Sequence, residues 1–176
     1  MGVTRMSAET ADRLRMVLGD PGVRARYEEK IRVVTPYACR FWTGAITGRG
    51  HGRIWIAHDT NNPTGGTKDF CVIAHRLGFG LAYGFAALMD TEVIAHRCDN
   101  TLCQEPSHWQ PCTHAENKRQ WAARRHELSG PLRDTRGARE RALAIRDAVL
   151  TGRELSSVIG DGVRPVDRDQ LPLWGS

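Results

Sequence analysis

At 176 residues the chain has room for one domain with appendages, not two full cores. With 40% hydrophobic and 26% charged residues it is ordinary globular material, which excludes wholesale disorder. The net charge of +5 is concentrated: residues 117–141 hold eight Lys/Arg and three acids, which matches the whole chain's excess. Such a stripe suits a polyanion, its bland alternative being a solvated helix face.

The opening MGVTRMSAET lacks the apolar segment of a signal peptide. The longest apolar run, LGFGLAYGFAALM at 77–89, has thirteen residues with three glycines, too short to cross a bilayer. No membrane partner and a cytoplasmic, intracellular location are therefore expected. Five cysteines in a reducing compartment point to metal ligation or free thiols, not to a disulfide frame.

In chain order, residues 7–32 carry helical spacing (Leu14, Val17, Leu18), broken by GDPG at 19–22 into two short helices. CRFWTGAITGRGHGRIWIA, from Cys39, reads as a β-hairpin with its turn at Gly48, Gly50 and Gly52. HDTNNPTGGTKD is a loop, and FCVIA a strand leading into a helix near 75–83. TEVIA delivers His96 at the end of a strand, HWQPC returns as its partner, and AENKRQWAARRHEL (115–128) forms a helix. Strand, loop, strand, helix is a ββα unit. A basic helix at about 136–150 and a Gly/Pro-rich tail follow.

Cys98, Cys103 and His108 stand as C-x4-C-x4-H, three soft donors in eleven residues around a proline-bearing loop. Zinc takes four N/S ligands in a tetrahedron. Cys112 is near in sequence, but along a strand it would sit about 13 Å from His108, at roughly 3.3 Å per residue. Cys39 is free of that constraint and is the expected fourth ligand. Cys71 and Cys112 then read as small buried thiols. A closed Cys3His site is structural, because it leaves no position for a water to be activated.

Two residues flanking this loop remain. Phosphodiester hydrolysis needs a base near neutral pKa, for which a histidine is suited, and a hard cation at the phosphate. Magnesium keeps much of its water and can be held by one side-chain carbonyl. His96 and Asn117 would be brought to one cleft by the ββα hairpin and meet both needs; the alternatives are a structural histidine and a helix cap. An unperturbed histidine base would fail below about pH 6–6.5.

The run H-R-C-D-N-T-L-C-Q-E-P-S-H-W, followed by H-A-E-N, resembles the motif of the HNH endonucleases with a His-Cys box, the ββα-metal nucleases of homing and phage enzymes. CRFWTGAITGRGHGRI and AHRLGFGL resemble the hairpin and helix that precede it, so the likeness covers about residues 25–125. It implies an α+β fold with a small ββα-metal core and structural Zn²⁺, a preceding β-hairpin and flanking N- and C-terminal helices. By the same likeness His96 is the general base and Asn117 the Mg²⁺ ligand. Cys39, Cys98, Cys103 and His108 are the zinc ligands, and Arg53, with Arg76 second, steadies the phosphate. Ala95 stands where many of these enzymes carry another metal ligand, which implies a loosely held cation and a millimolar Mg²⁺ requirement.

The expected organisation is an N-terminal helical arm (1–34), a zinc-stabilised nuclease domain (35–128) and a basic helix with tail (129–176). The implied activity is Mg²⁺-dependent cleavage of double-stranded DNA to 5′-phosphate and 3′-hydroxyl ends. The implied setting is a phage-encoded protein in a bacterial host. Lys118, Arg119, Arg124 and Arg125 would follow the DNA backbone, and the 46–56 or 133–146 segment would read bases. A homodimer would be the simplest way to cut both strands. The rival is a non-catalytic zinc-stabilised DNA-binding module, which needs neither His96 nor Asn117. A zinc deaminase fails on residues, since its H-x-E…P-C-x-x-C pattern is absent.

Overall fold

Two helices, α1 (Ala8–Gly19) and α2 (Pro21–Glu29), begin the described chain, which comprises residues 8–59, 68–124 and 133–164 of a computed structural model. They are separate because Asp20 leaves helical conformation and caps α2. Its carboxylate accepts from the backbone N–H of Gly22 (2.7 Å) and Val23 (3.3 Å), with Pro21 in the first turn. Strands β1 (Ile31–Val33) and β2 (Arg40–Trp42) then pair antiparallel, Ile31 opposite Trp42.

The stretch expected as one hairpin from Cys39 is built differently. β3 (Arg53–Asp59) pairs with β4 (Lys68–Ile73), while β2 turns back to β1; only an isolated bridge, Ile46 to Gly52, joins the two halves of the stretch. Trp42 is the reason. Its fully buried indole fills the space that a hairpin ladder would need and donates through Nε1 to the Ala45 carbonyl (3.0 Å). A Cβ on Gly44 or Gly52 would meet that ring at 2.6 or 2.5 Å, so the chain wraps the tryptophan instead of laddering. On β3 and β4 the pleat buries Ile54 and Val72 and turns Trp55 and Cys71 outward. Cys71 is therefore exposed, against the expectation of a buried thiol.

Helices α3 (Ala74–Tyr83) and α4 (Phe85–Asp90) lead to β5 (Val93–His96). A single 3-10 turn at Pro106–His108 precedes β6 (Trp109–Cys112), which pairs antiparallel with β5, His96 opposite Trp109. α5 (His114–Arg124) completes the expected ββα unit; the expected helical residues 125–128 lie outside the described residues. α6 (Gly137–Thr151) and α7 (Leu155–Gly160) end the described chain. The class is α+β, as expected.

One buried cluster joins all of these parts: Leu14 and Val23 from the first helices, Trp42, Leu77, Leu102, and Ile145 from α6. No helix of the described residues is long and apolar enough to cross a membrane. Helix α3 packs so tightly that a Cβ on Gly78 would lie 2.1 Å from Tyr27 Oη and 2.7 Å from Trp109. Both rings are buried, so neither can swing away. Gly78→Ala should destabilise the fold by about 1–3 kcal/mol, the usual cost of overpacking. Urea unfolding would show it as a lower midpoint at unchanged slope; an unchanged midpoint would mean that this contact yields.

Candidate metal centre and adjoining cleft

Four soft donors converge although one comes from sixty residues upstream. β2 runs beside the loop at 102–104. Trp42 N donates to the Leu102 carbonyl (2.9 Å), Gln104 N donates to the Arg40 carbonyl (2.6 Å), and Phe41 bridges to Cys103. That short ladder sets Cys39, one residue before β2, beside Cys103. The loop itself is folded by Asn100, whose side chain accepts from Leu102 N (3.0 Å) and whose carbonyl accepts from Cys103 N (3.0 Å). Glu105 caps the turn that presents His108, accepting from Ser107 N (3.3 Å).

The result is that Cys39, Cys98, Cys103 and His108 offer ligand atoms all within 4.8 Å of one another. His108 Nδ1 lies 3.4 Å from Cys103 Sγ and 3.8 Å from Cys39 Sγ. Bonds of 2.0–2.3 Å put the corners of a zinc tetrahedron about 3.3–3.8 Å apart, so the set could hold a metal ion such as zinc. The thiols are already polarised. Hydrogen bonds from Cys103 and Cys39 pull Cys98 far below the usual thiol range, while those from Cys39 and Cys98 push Cys103 up. Cys39 is thus brought to the place expected for it. Cys112 is half-buried and outside the group, and His114 is exposed.

Beside this four-donor group is a cavity of about 340 Å³, and both His96 and Asn117 line it. His96 is buried at the end of β5. Its Nε2 lies 3.2 Å from the Cys103 carbonyl, which also accepts from Trp109 Nε1 at 3.2 Å. A carbonyl can only accept, so Nε2 carries the proton and Nδ1 keeps the lone pair. Burial pushes the His96 pKa down to about 4, against the opposing pull of Cys98 and the Cys103 carbonyl. The expectation of an unperturbed histidine does not hold, because the side chain is desolvated.

Asn117 is placed by a capping box in Thr113-His-Ala-Glu116. Glu116 N donates to Thr113 Oγ1 (3.2 Å), and Thr113 N donates back to the Glu116 carboxylate (2.8 Å). Glu92 adds a second acceptor for the helix start, taking His114 N at 3.1 Å. With the first turn fixed, Asn117 N donates to the Thr113 carbonyl (3.0 Å). The helix therefore begins where the box dictates.

The expected cations distribute unevenly. Arg53 is exposed on β3 and outside the cavity lining, and Arg76 donates to the Glu92 carbonyl (3.4 Å). Lys118 and Arg119 are exposed on α5; Arg124 lines the cavity and pairs with Asp99 (3.1 Å); Arg125 lies outside the described residues. Three lining residues, Arg49, His51 and Arg141, were not named from the sequence, although the 46–56 or 133–146 segment was expected to read bases; His75 packs behind them and is not itself a lining residue. His75 meets His96 edge-on with ring centroids 4.8 Å apart, and His51 follows 5.4 Å from His75. Burial pushes both rings' pKa values down, and His75 Nδ1 has no hydrogen-bond partner among the described residues. The histidines sit in GRGHGR and AHR, where only their side-chain type signals a role. Nothing local in α6 announces that it walls a cleft.

No family model matches the chain, and no solved structure matches it. It is similar to two proteins of Escherichia phage T7. Protein 7.7 is 25% identical over 122 residues, covering 69% of this chain and 84% of that protein. Protein 2.8 is 32% identical over 95 residues, which is 54% of this chain; the chain spans only 56% of that protein's length.

The metal centre can be tested by counting ions. Zinc per chain, measured by elemental analysis on protein purified without added chelator, should fall well below one in Cys39→Ser and in Cys103→Ser. Cys112→Ser should keep the wild-type content. Full zinc in either of the first two variants would remove that residue from the ligand set.

Proposed function

We propose that the protein is a metal-dependent DNA endonuclease of the HNH, His-Cys-box type, with His96 as general base. The observation that carries this reading is the pairing of His96 and Asn117 in one cavity, on opposite sides of the loop that presents three of the four soft donors. In it, Cys39, Cys98, Cys103 and His108 hold a structural zinc ion, closed by four donors and so without a part in the chemistry. The loop they fix presents the carbonyl that orients the base.

The neutral imidazole of His96 takes a proton from water at Nδ1, while Nε2–H stays on the Cys103 carbonyl and prevents the ring from turning. Its burial keeps the base unprotonated at neutral pH. A low pKa makes it a weaker base in the bargain, so orientation, not basicity, is its main contribution. Asn117 offers its side-chain oxygen to a hard divalent cation, Mg²⁺, which when bound would stabilise charge on the phosphate and the departing 3′-oxygen. With one protein ligand, half-maximal activity would need millimolar Mg²⁺. Lys118, Arg119 and Arg124 lie on the same helix as Asn117 and would follow the DNA backbone, supplying affinity without a sequence code.

Supercoiled plasmid, incubated with and without Mg²⁺, tests this directly. Wild type should nick or linearise it only with the cation. His96→Ala should lose about 10²–10⁴-fold in rate, the usual worth of a positioned base. Asn117→Ala should demand more Mg²⁺. Nicking by His96→Ala at the wild-type rate would remove that residue from the mechanism. Binding without cleavage across a genome-wide set of targets would favour a zinc-stabilised DNA-binding module instead.

A further inference from the structure

Helix α6 lies beyond the part of the chain that resembles a nuclease, yet it forms a wall of the cleft. Ala138, Arg141, Ala142 and Ile145 line the same cavity as His96 and Asn117. Its place is fixed by backbone contact. Gly50 adopts φ +81°, and a Cβ there would lie 2.4 Å from the Ala138 carbonyl, so only glycine allows the turn at 47–51 to rest on the helix. Thr101, in the metal-binding loop, donates to the Gly50 carbonyl (2.7 Å) and locks loop, turn and helix together.

Arg141 is held at this wall by Asp134, whose side chain is wholly buried. The two arginines on that carboxylate are not equivalent. Arg136 takes both oxygens, Nε to Oδ1 at 2.9 Å and Nη2 to Oδ2 at 2.7 Å, while Arg141 makes one contact, Nη1 to Oδ2 at 3.1 Å. Asp161 bears on Arg136 as a second acid, so Arg136 is doubly served while Arg141 keeps a single bond to a carboxylate it shares. Arg141 is 12% exposed, against 29% for Arg124, the other cleft arginine held in an ion pair. A guanidinium carries five N–H donors in a rigid fork that matches a phosphate. Arg141 is thus oriented by one bond to a shared carboxylate and sheltered beside the cleft, where a guanidinium is stabilised when an anion meets it.

We propose that Arg141 is a phosphate-binding residue of this cleft, so that α6 serves the nucleic-acid site through the phosphate backbone and not through base edges. It rests on the nuclease reading for the nature of the polyanion, but not for its own test. Asp134 is its positioning residue.

The test is binding of the zinc-loaded full chain to a fluorescein-labelled duplex of mixed sequence, in magnesium-free buffer, across a series of NaCl concentrations. Loss of one phosphate contact should weaken binding about 10-fold and lower the slope of log K against log salt by about 0.9. Arg141→Ala should show both changes; Arg141→Lys should keep the slope and recover part of the affinity. If Arg141→Ala does not fold, by circular dichroism and zinc content, the double variant Asp134→Asn with Arg141→Gln removes the pair together and should show the same loss of slope. Wild-type affinity and slope in a folded Arg141→Ala, or no DNA binding by wild type, would overturn the proposal. Plasmid cleavage separates the two readings. A wild type that binds with the expected slope but never cuts keeps the phosphate contact and loses the nuclease. Cutting and binding unaffected by Arg141→Ala do the reverse.

Discussion

Cys103 is the residue through which the rest of the structure is tied. Its sulfur belongs to the four-donor group, its backbone bridges to Phe41 and so brings β2 alongside, and its carbonyl accepts from both His96 and Trp109. One buried residue thereby couples three things that sequence places far apart: the distant ligand Cys39, the orientation of a cleft histidine, and a core tryptophan of β6. A metal ion on such a residue would do more than close a loop. It would fix the carbonyl that fixes the imidazole, which is how a small fold can hold a reactive group in register.

The cleft is correspondingly composite. β5, the start of α5, the turn at 47–51 and α6 each contribute a side, and a shared apolar core backs them. The positive charge around it is smaller than a count of basic residues suggests. Arg136 is engaged by Asp134, Arg139 by Glu140 and Arg146 by Asp147. The more exposed pairs, on Arg139 and Arg146, contribute little to stability, but all three remove cations from the number available to a polyanion. Three arginines, Arg49, Arg124 and Arg141, line the cavity, with Asp99 the only acid among its described lining residues.

Much of this was legible in the sequence because its causes are local. Ligand spacing, the break at Asp20–Pro21, the ββα order and the choice of Cys39 over Cys112 all follow from chain geometry over a few residues. The failures share a different cause. The hairpin expected from Cys39 dissolved because a single tryptophan claimed the space between Gly44 and Gly52, a tertiary demand with no periodic signature. Cys71 was misjudged because an apolar run on a two-stranded edge still has an outward face. His51 and Arg141 reach the cleft, and His75 reaches His96 behind it, through packing between elements many residues apart, and no pattern within any one element records it.

The capping box ahead of Asn117 has a consequence for how such chains can vary. Thr113 and Glu116 set the first residue of α5, and each helical residue turns the chain by about 100°. Adding or deleting one residue between Thr113 and Asn117 would swing the amide a quarter-turn or more around the axis, out of the cavity, while leaving the helix intact. Substitutions on the exposed side of α5 carry no such penalty. Length in this region is therefore more tightly bound than composition, and related chains should be aligned here on the interval from threonine to asparagine before any other similarity is weighed.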